Sequence, residues 1–257
     1  MYKKILFFLQ FIFLFYIIHC SKSSILVVQH QVTGPTETNT YLVYEVISKE
    51  AALVDVGGPI DSLESVISEN NLNVKYIFIT HAHCDHVESL PAIMEKYPQA
   101  KICLSKEEYE DLGLYSKWES VFDPNEVAEM KKYPAVIKMA NFDYSLIGEP
   151  DIFLEDNKFY PLGDLNIKAF LSPGHSRGSM CLYVENVLFS GDVLFYRSAG
   201  RTDFPKSGGR DELVKSVQRL YHKLPDQTIV YTGHGPFTDI GSEKRQNKKI
   251  TVDKVTI

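Results

Sequence analysis

In the stretch ITHAHCDHVES, residues 79–89, three histidines and an aspartate fall within six positions, directly after the apolar run Tyr76–Ile79. His81 and His83 are two apart, a spacing that a helix would splay, so a loop has to hold them if they share a target. Asp85 and His86 follow at once and can turn to a second target. Three more candidates lie far downstream, each at the end of a β-like run: His175 in LSPGHSRGS, Asp192 in LFSGDVLF and His234 in VYTGHGP. Strand ends are where rigid elements deliver side chains to a shared point. Imidazoles and carboxylates with no required thiolate suit borderline divalent metals, Zn²⁺ first, with Fe or Mn as alternatives. The expected arrangement is two three-residue sets sharing one carboxylate, each of two divalent metal ions keeping a position open for water. Five of the eight histidines belong to this group; His19 lies in the leader, and the singletons His30 and His222 are read as solvated or internally bonded.

The elements that must position these residues are short. Runs rich in Val, Ile, Leu, Phe and Tyr predict strands at Ile25–Val28, Tyr41–Val46, Ala51–Val56, Tyr76–Thr80, Lys101–Leu104, Ile167–Leu171, Met180–Val184, Val187–Ser190 and Ile229–Thr232. Helical stripes sit between them: Leu63, Val66 and Ile67 after Asp61–Ser62; Leu90, Ile93, Met94 and Tyr97 after an N-cap at Ser89, with Pro91 in the first turn; and Leu213, Val217, Leu220 and Leu224. The mixture reads as α/β layers. Residues 106–150 change character, with Glu, Lys and Tyr in helix-like order and proline breaks, and read as a helical insertion over one face. Its aromatic residues Tyr109, Tyr115 and Trp118 would wall the cleft or form a small core of their own. The polar, basic stretch Ser242–Lys254 reads as a loose tail after a domain spanning 25–240.

A chain of 257 residues with 44% apolar and 23% charged residues fits one sizeable globular domain with appendages. Its net charge of −6, with no concentrated basic run inside the body, argues against a nucleic-acid partner. Residues 1–20 stand apart: Lys3 and Lys4 precede a 14-residue apolar core, Ile5–Ile18, broken only by Gln10. That is the form of a secretory signal, removed near residues 20–24, and the chain is expected to be exported. A membrane anchor is the alternative, although a span usually takes about 20 apolar residues; acylation of Cys20 is another. Membrane contact is expected only through this leader. Cys84, Cys103 and Cys181 are too sparse for a disulfide scaffold. Cys103 and Cys181 read as small buried hydrophobes, and Cys84 has no evident base to make it a nucleophile.

THAHCDH, PGHSRGS, SGDVLF and TGHGP resemble, in order, the successive motifs of the metallo-β-lactamase superfamily, over nearly the whole chain after the leader. The resemblance implies a four-layer αββα sandwich with the site at one edge of two packed sheets. It implies His81, His83 and His175 on one metal, Asp85, His86 and His234 on a second, and Asp192 bridging them. Asp55 in ALVDVGG fits the superfamily's strand-end aspartate, implied to support the ligands from behind. A ligating imidazole needs its other N–H held by a carboxylate or carbonyl, so the chemistry agrees.

Two adjacent cations can acidify a bridging water, aim the resulting hydroxide at an acyl carbon and neutralise the developing oxyanion. Asp85 would both ligate and orient that hydroxide. Within the superfamily, AALVDVGG, LFSGDVLF…GRTDFPKSGG and YTGHGP are most similar to the glyoxalase II branch, the hydroxyacylglutathione hydrolases and their shorter bacterial relatives. The implied substrate is a small-molecule thioester or related activated ester. Full-length members carry a C-terminal helical domain, whereas only 21 residues follow Pro236, so that domain is expected to be missing. They also carry a lysine and a tyrosine facing the substrate nine and eleven residues after the bridging aspartate, where this chain has Arg201 and Asp203. Arg201 could grip a carboxylate bidentately, or pair with Asp203 and merely fix the loop. GRTDF also resembles the persulfide dioxygenases, which use this fold with one iron, and a non-catalytic metal-binding module is the third alternative.

Overall fold

A computed structural model of the chain describes residues 18–19, 24–115, 117–121, 123–132, 137, 141–203 and 207–251. The expected signal, anchor or lipidation leader therefore lies outside the described residues, apart from Ile18–His19.

The first sheet has seven strands in sequence order: β1 (Ile18–His19), β2 (Ile25–Thr33), β3 (Thr38–Glu45), β4 (Glu50–Val54), β5 (Asn73–Phe78), β6 (Lys101–Ser105) and β7 (Ile152–Leu154). Pairing is antiparallel from β1 to β4 and parallel from β4 to β7. The second sheet contains β8 (Phe159–Leu162), β9 (Leu165–Leu171), β10 (Met180–Val184), β11 (Val187–Gly191), β14 (Ile229–Thr232) and β15 (Thr238–Asp239). A small hairpin, β12 (Leu194–Phe195) with β13 (Ser198–Ala199), branches off after β11.

Both faces of each sheet are covered, which is why the central strands read as unbroken apolar runs rather than as alternation. Along β3 and β4, Tyr41, Val43, Ala52 and Val54 turn inward to meet Leu182, Val184, Phe189 and Tyr231 of the second sheet. Leu42, Ala51 and Leu53 turn outward under α1 (Asp61–Glu69) and α3 (Leu90–Lys96), whose Leu63, Ile67, Leu90 and Ile93 cover them. On the far side, α7 (Arg210–Lys223) lays Leu213, Val217, Leu220 and Tyr221 on Phe170, Cys181, Leu188 and Val230. Asp211 and Glu212 in its first turn, and His222 and Lys223 in its last, suit the helix dipole. The result is the αββα sandwich.

Several expectations shift. The buried polar run Thr38–Asn39–Thr40 opens β3, satisfied by bonds such as Thr33 Oγ1 to Thr40 Oγ1 at 3.0 Å. Ser89 stands at the start of α3 but makes no side-chain cap. In the 106–150 region, α4 (Lys106–Tyr115), α5 (Trp118–Val121) and α6 (Pro124–Met130) are helical. Leu112 of α4 joins the core beneath the first sheet, and Tyr109 packs on Phe153 with ring centroids 5.7 Å apart. The side chains of Tyr115 and Trp118 lie outside the described residues. The loose tail is corrected: Ile240–Gln246 forms α8, capped by Asp239, and Ile250 is buried with Ile240 in the α7 core. Asn247 locks this end by accepting from the Lys249 and Ile250 N–H groups and donating to the Ser198 carbonyl. Sparse apolar residues among basic ones concealed it.

Candidate metal centre

The cluster sits where strands of both sheets end. β4 stops at Val54 because Asp55 turns into the left-handed region, φ 54°, while its N–H still donates to the Phe78 carbonyl at 2.9 Å. Its carboxylate then accepts from the Thr80 N–H, the Thr80 hydroxyl and His86 Nδ1, each at 2.8 Å. The Thr80 hydroxyl gives its proton to Asp55, so its oxygen accepts from His81 Nδ1 at 3.1 Å. After β5, the single-turn helix α2 (Cys84–Val87) carries Asp85 and His86, and Val56 N–H ties it down by donating to the His86 carbonyl at 2.8 Å.

The second sheet supplies the rest. His175 follows β9 and donates from Nδ1 to the Arg201 carbonyl at 2.9 Å; Asp192 follows β11; His234 follows β14 and donates from Nδ1 to the Thr36 carbonyl at 3.1 Å. Gly233 is required beside it, since a Cβ there would lie 2.1 Å from Asp192 Oδ1.

These bonds decide the tautomers. His81, His86, His175 and His234 each commit Nδ1–H to an oxygen acceptor, so each neutral ring presents the Nε2 lone pair inward. His175 Nε2 lies 3.2 Å from His81 Nε2 and 2.9 Å from His83 Nδ1, and His86 Nε2 lies 3.3 Å from His234 Nε2. Asp85 Oδ2 is 3.3 Å from His234 Nε2. Asp192 Oδ2 is 3.6 Å from both His175 Nε2 and His234 Nε2, while its Oδ1 is 3.4 Å from His86 Nε2. Three groups have ligand atoms within 4.8 Å of one another: His81, His83 and His175; Asp85, His86 and His234; and His81, His86 and Asp192. The structure thus brings together all seven residues singled out in the motifs, with Asp192 between the two expected sets.

The donor set fits metal cations. Facing lone pairs repel unless a positive charge lies between them, and two nitrogen ligands of a tetrahedral ion with bonds of about 2.0 Å sit roughly 3.3 Å apart. Asp192 Oδ1 is buried with no hydrogen-bond partner, an acceptor that a cation would satisfy. Electrostatics point the same way. Burial and the repulsion of His175 push His83 down to about 3, so its lone pair is open at neutral pH. Burial opposes ionisation of Asp192, but His86 and its neighbours outweigh it and hold the carboxyl down to about 2. Burial likewise opposes a charge on His86, yet Asp55, Asp192 and Asp85 overrule it and raise that imidazole well above its ordinary value. The field of three carboxylates is one that draws in positive charge.

Other singled-out residues fall around this centre. The Arg201 guanidinium pairs bidentately with Asp203 at 2.7 and 2.8 Å, and both side chains are exposed. Cys84 is buried, and burial with the Asp85 charge beside it pushes its thiol up to about 12, which leaves no thiolate for nucleophilic work. Cys103 and Cys181 are buried as well. His30 is internally bonded to Asn39 Oδ1 at 2.8 Å, and His222 is exposed on α7. Reading the sequence missed Thr80 and Thr36. Thr80's hydroxyl adjoining His81 was a visible signal, whereas Thr36 contributes only a carbonyl that any residue would have.

The family model described as the metallo-beta-lactamase superfamily matches residues 33–234, from the end of β2 to the last histidine of the cluster. The hydroxyacylglutathione hydrolase GloC of Haemophilus influenzae is 31% identical over 202 residues, which cover 77% of this chain and 86% of that protein. Among solved structures, the B3 metallo-beta-lactamase BLEG-1 is 31% identical, with a TM-score of 0.67 over 87% of this chain and 99% of that one. TTHA1623, solved in a di-iron-bound form, is 28% identical, with a TM-score of 0.67 over 86% of this chain and 98% of that one. These three relatives differ by name in substrate or metal, and with them and the matched family model the chain belongs to the metallo-beta-lactamase superfamily of metal-dependent hydrolases.

Proposed function

We propose that the chain is a dinuclear hydrolase of a small-molecule thioester or related activated ester, exported by its leader. The observation that carries the hydrolase reading is the pair of residue sets meeting at Asp192; export rests on the Lys3–Lys4 head and the Ile5–Ile18 core of the sequence alone. His81, His83 and His175 would hold one cation, Asp85, His86 and His234 a second, with Asp192 shared; Zn²⁺ suits the donors best, and the di-iron relative supports Fe as the alternative. When bound, the cations supply Lewis-acid polarisation of the acyl oxygen and acidification of water. The protein's own work is orientation. Asp55, Thr80 and the Arg201 and Thr36 carbonyls fix the imidazoles in one tautomer. Burial opposes ionisation of Asp85, but His86, His83 and His234 hold its carboxyl below the usual range, so it stays an acceptor able to aim an attacking water. The mononuclear persulfide dioxygenase alternative would leave the Asp85, His86 and His234 set without a task.

For specificity, the GloC relative supports a thioester, and Arg201 is the candidate contact for an anionic leaving group. Its pairing with Asp203 is exposed and therefore weak enough for a substrate carboxylate to compete. Steady-state kinetics with S-lactoylglutathione and a truncated thioester test this. Arg201→Ala is expected to raise KM for the anionic substrate by roughly three- to tenfold and leave kcat within about twofold, the mark of lost uniform binding. A silent Arg201→Ala, combined with strong preference for the glutathione ester, would place the substrate contacts elsewhere.

A further inference from the structure

Glu108 lies on α4, outside every ligand motif, and is fully buried. A buried carboxylate needs several donors to hold it. Oε2 accepts from the Ala82 N–H at 2.8 Å, and Oε1 from the Gly178 N–H at 3.0 Å. Ala82 is the residue between His81 and His83; Gly178 is three past His175. One side chain thus joins the loop of the first sheet carrying His81 and His83 to the loop of the second sheet carrying His175.

The surroundings are shaped for that contact. Ser105, at the end of β6, donates from Oγ to the Gly178 carbonyl at 2.8 Å and accepts from the Glu108 N–H at 3.3 Å. A Cβ on Gly178 would lie 2.3 Å from Ser105 Oγ and 2.7 Å from Glu108 N, so only glycine lets α4 come this close. One turn along the same helix face, Asp111 accepts bidentately from Arg177 at 2.8 and 2.9 Å.

We propose that Glu108 is a positioning residue that sets the mutual geometry of His81, His83 and His175 and hence the affinity of that one cation position. This rests on the two-cation reading above. Glutamine keeps the volume but turns one acceptor into a donor facing an N–H, so Glu108→Gln releases one loop from the other. Residues that support ligands from behind typically alter metal affinity by about ten- to a hundredfold.

The test is chelator competition on the zinc-loaded full chain, counting equivalents retained. Wild-type stoichiometry reports on the two-cation reading alone, and the variant's departure from it reports on Glu108 alone. In Glu108→Gln, one equivalent is expected to leave at about tenfold lower chelator concentration while the other is unmoved. The same equivalent should be the one weakened by His83→Ala, and the double variant should be no worse than His83→Ala, since both changes act on one position. Lys106→Ala, an exposed change on the same helix that breaks only a surface pair with Glu110, should leave both equivalents as in wild type. If Glu108→Gln does not accumulate as folded protein, Glu108→Asp, too short to span both N–H groups, is read the same way. The proposal is overturned if both equivalents weaken alike, if neither does, if the effect adds in full to His83→Ala, or if Lys106→Ala reproduces it.

Discussion

Asp192 Oδ1 is buried without a hydrogen-bond partner while Oδ2 faces an imidazole from each set, so one side chain adjoins both groups. Asp192→Asn places N–H donors where a cation would sit. It should weaken both metal equivalents by at least about tenfold in isothermal titration, unlike a change at His83 or Glu108; weakening of one equivalent alone would show that the carboxylate is not shared. Cys84 makes the opposite case, since its thiol is pushed up to about 12 and faces the core. Cys84→Ser should keep kcat within roughly threefold, because nothing in the account needs a thiolate; loss of turnover with metal content intact would contradict it. At this scale the sequence was most legible where the chemistry restricts residue choice. Histidine and aspartate in runs such as THAHCDH have few other uses, and Asp55 could be placed because a ligating imidazole needs an acceptor behind it. Glu108 was hidden because an acidic residue in KEEYED reads as the solvated face of a helix. Only the tertiary fold shows that two backbone N–H groups wait for it.

Strand ends carry the clustered histidines and aspartates, and most strands are visible as apolar runs because both faces of each sheet are covered. Boundaries move where a local bond competes: the run Ala51–Val56 predicts one strand, but the ladder ends at Val54 because Asp55 leaves it at φ 54°. β3 began earlier than its apolar run because Thr38, Asn39 and Thr40 are buried with partners, a tertiary fact that polarity alone conceals. The C-terminal end shows the same limit. Lys and Arg around Ile240 and Ile250 gave no periodic stripe, yet both isoleucines are buried against α7. Ile250→Ala should cost about 2–4 kcal/mol in chemical unfolding, the range for emptying a buried aliphatic site, with no change in metal stoichiometry. A cost within about 0.5 kcal/mol, as at an exposed position, would return this segment to a loose tail.

Across the whole molecule, two sheets packed face to face deliver the cluster's loops to one edge, His81 to His86 from the first and His175, Asp192 and His234 from the second. Neither sheet holds either complete set without Asp192 or a histidine of the other. Metal binding is therefore expected to be coupled to the packing of the two halves, and bound metal should stabilise the native chain by mass action. The most direct test is to load the purified chain with Zn²⁺ and follow thioester hydrolysis against metal equivalents bound. Close to two equivalents per chain are expected, with activity lost to a chelator and regained as the second equivalent returns. A chain that reaches its full hydrolytic rate with one tightly held metal would contradict the two-cation reading.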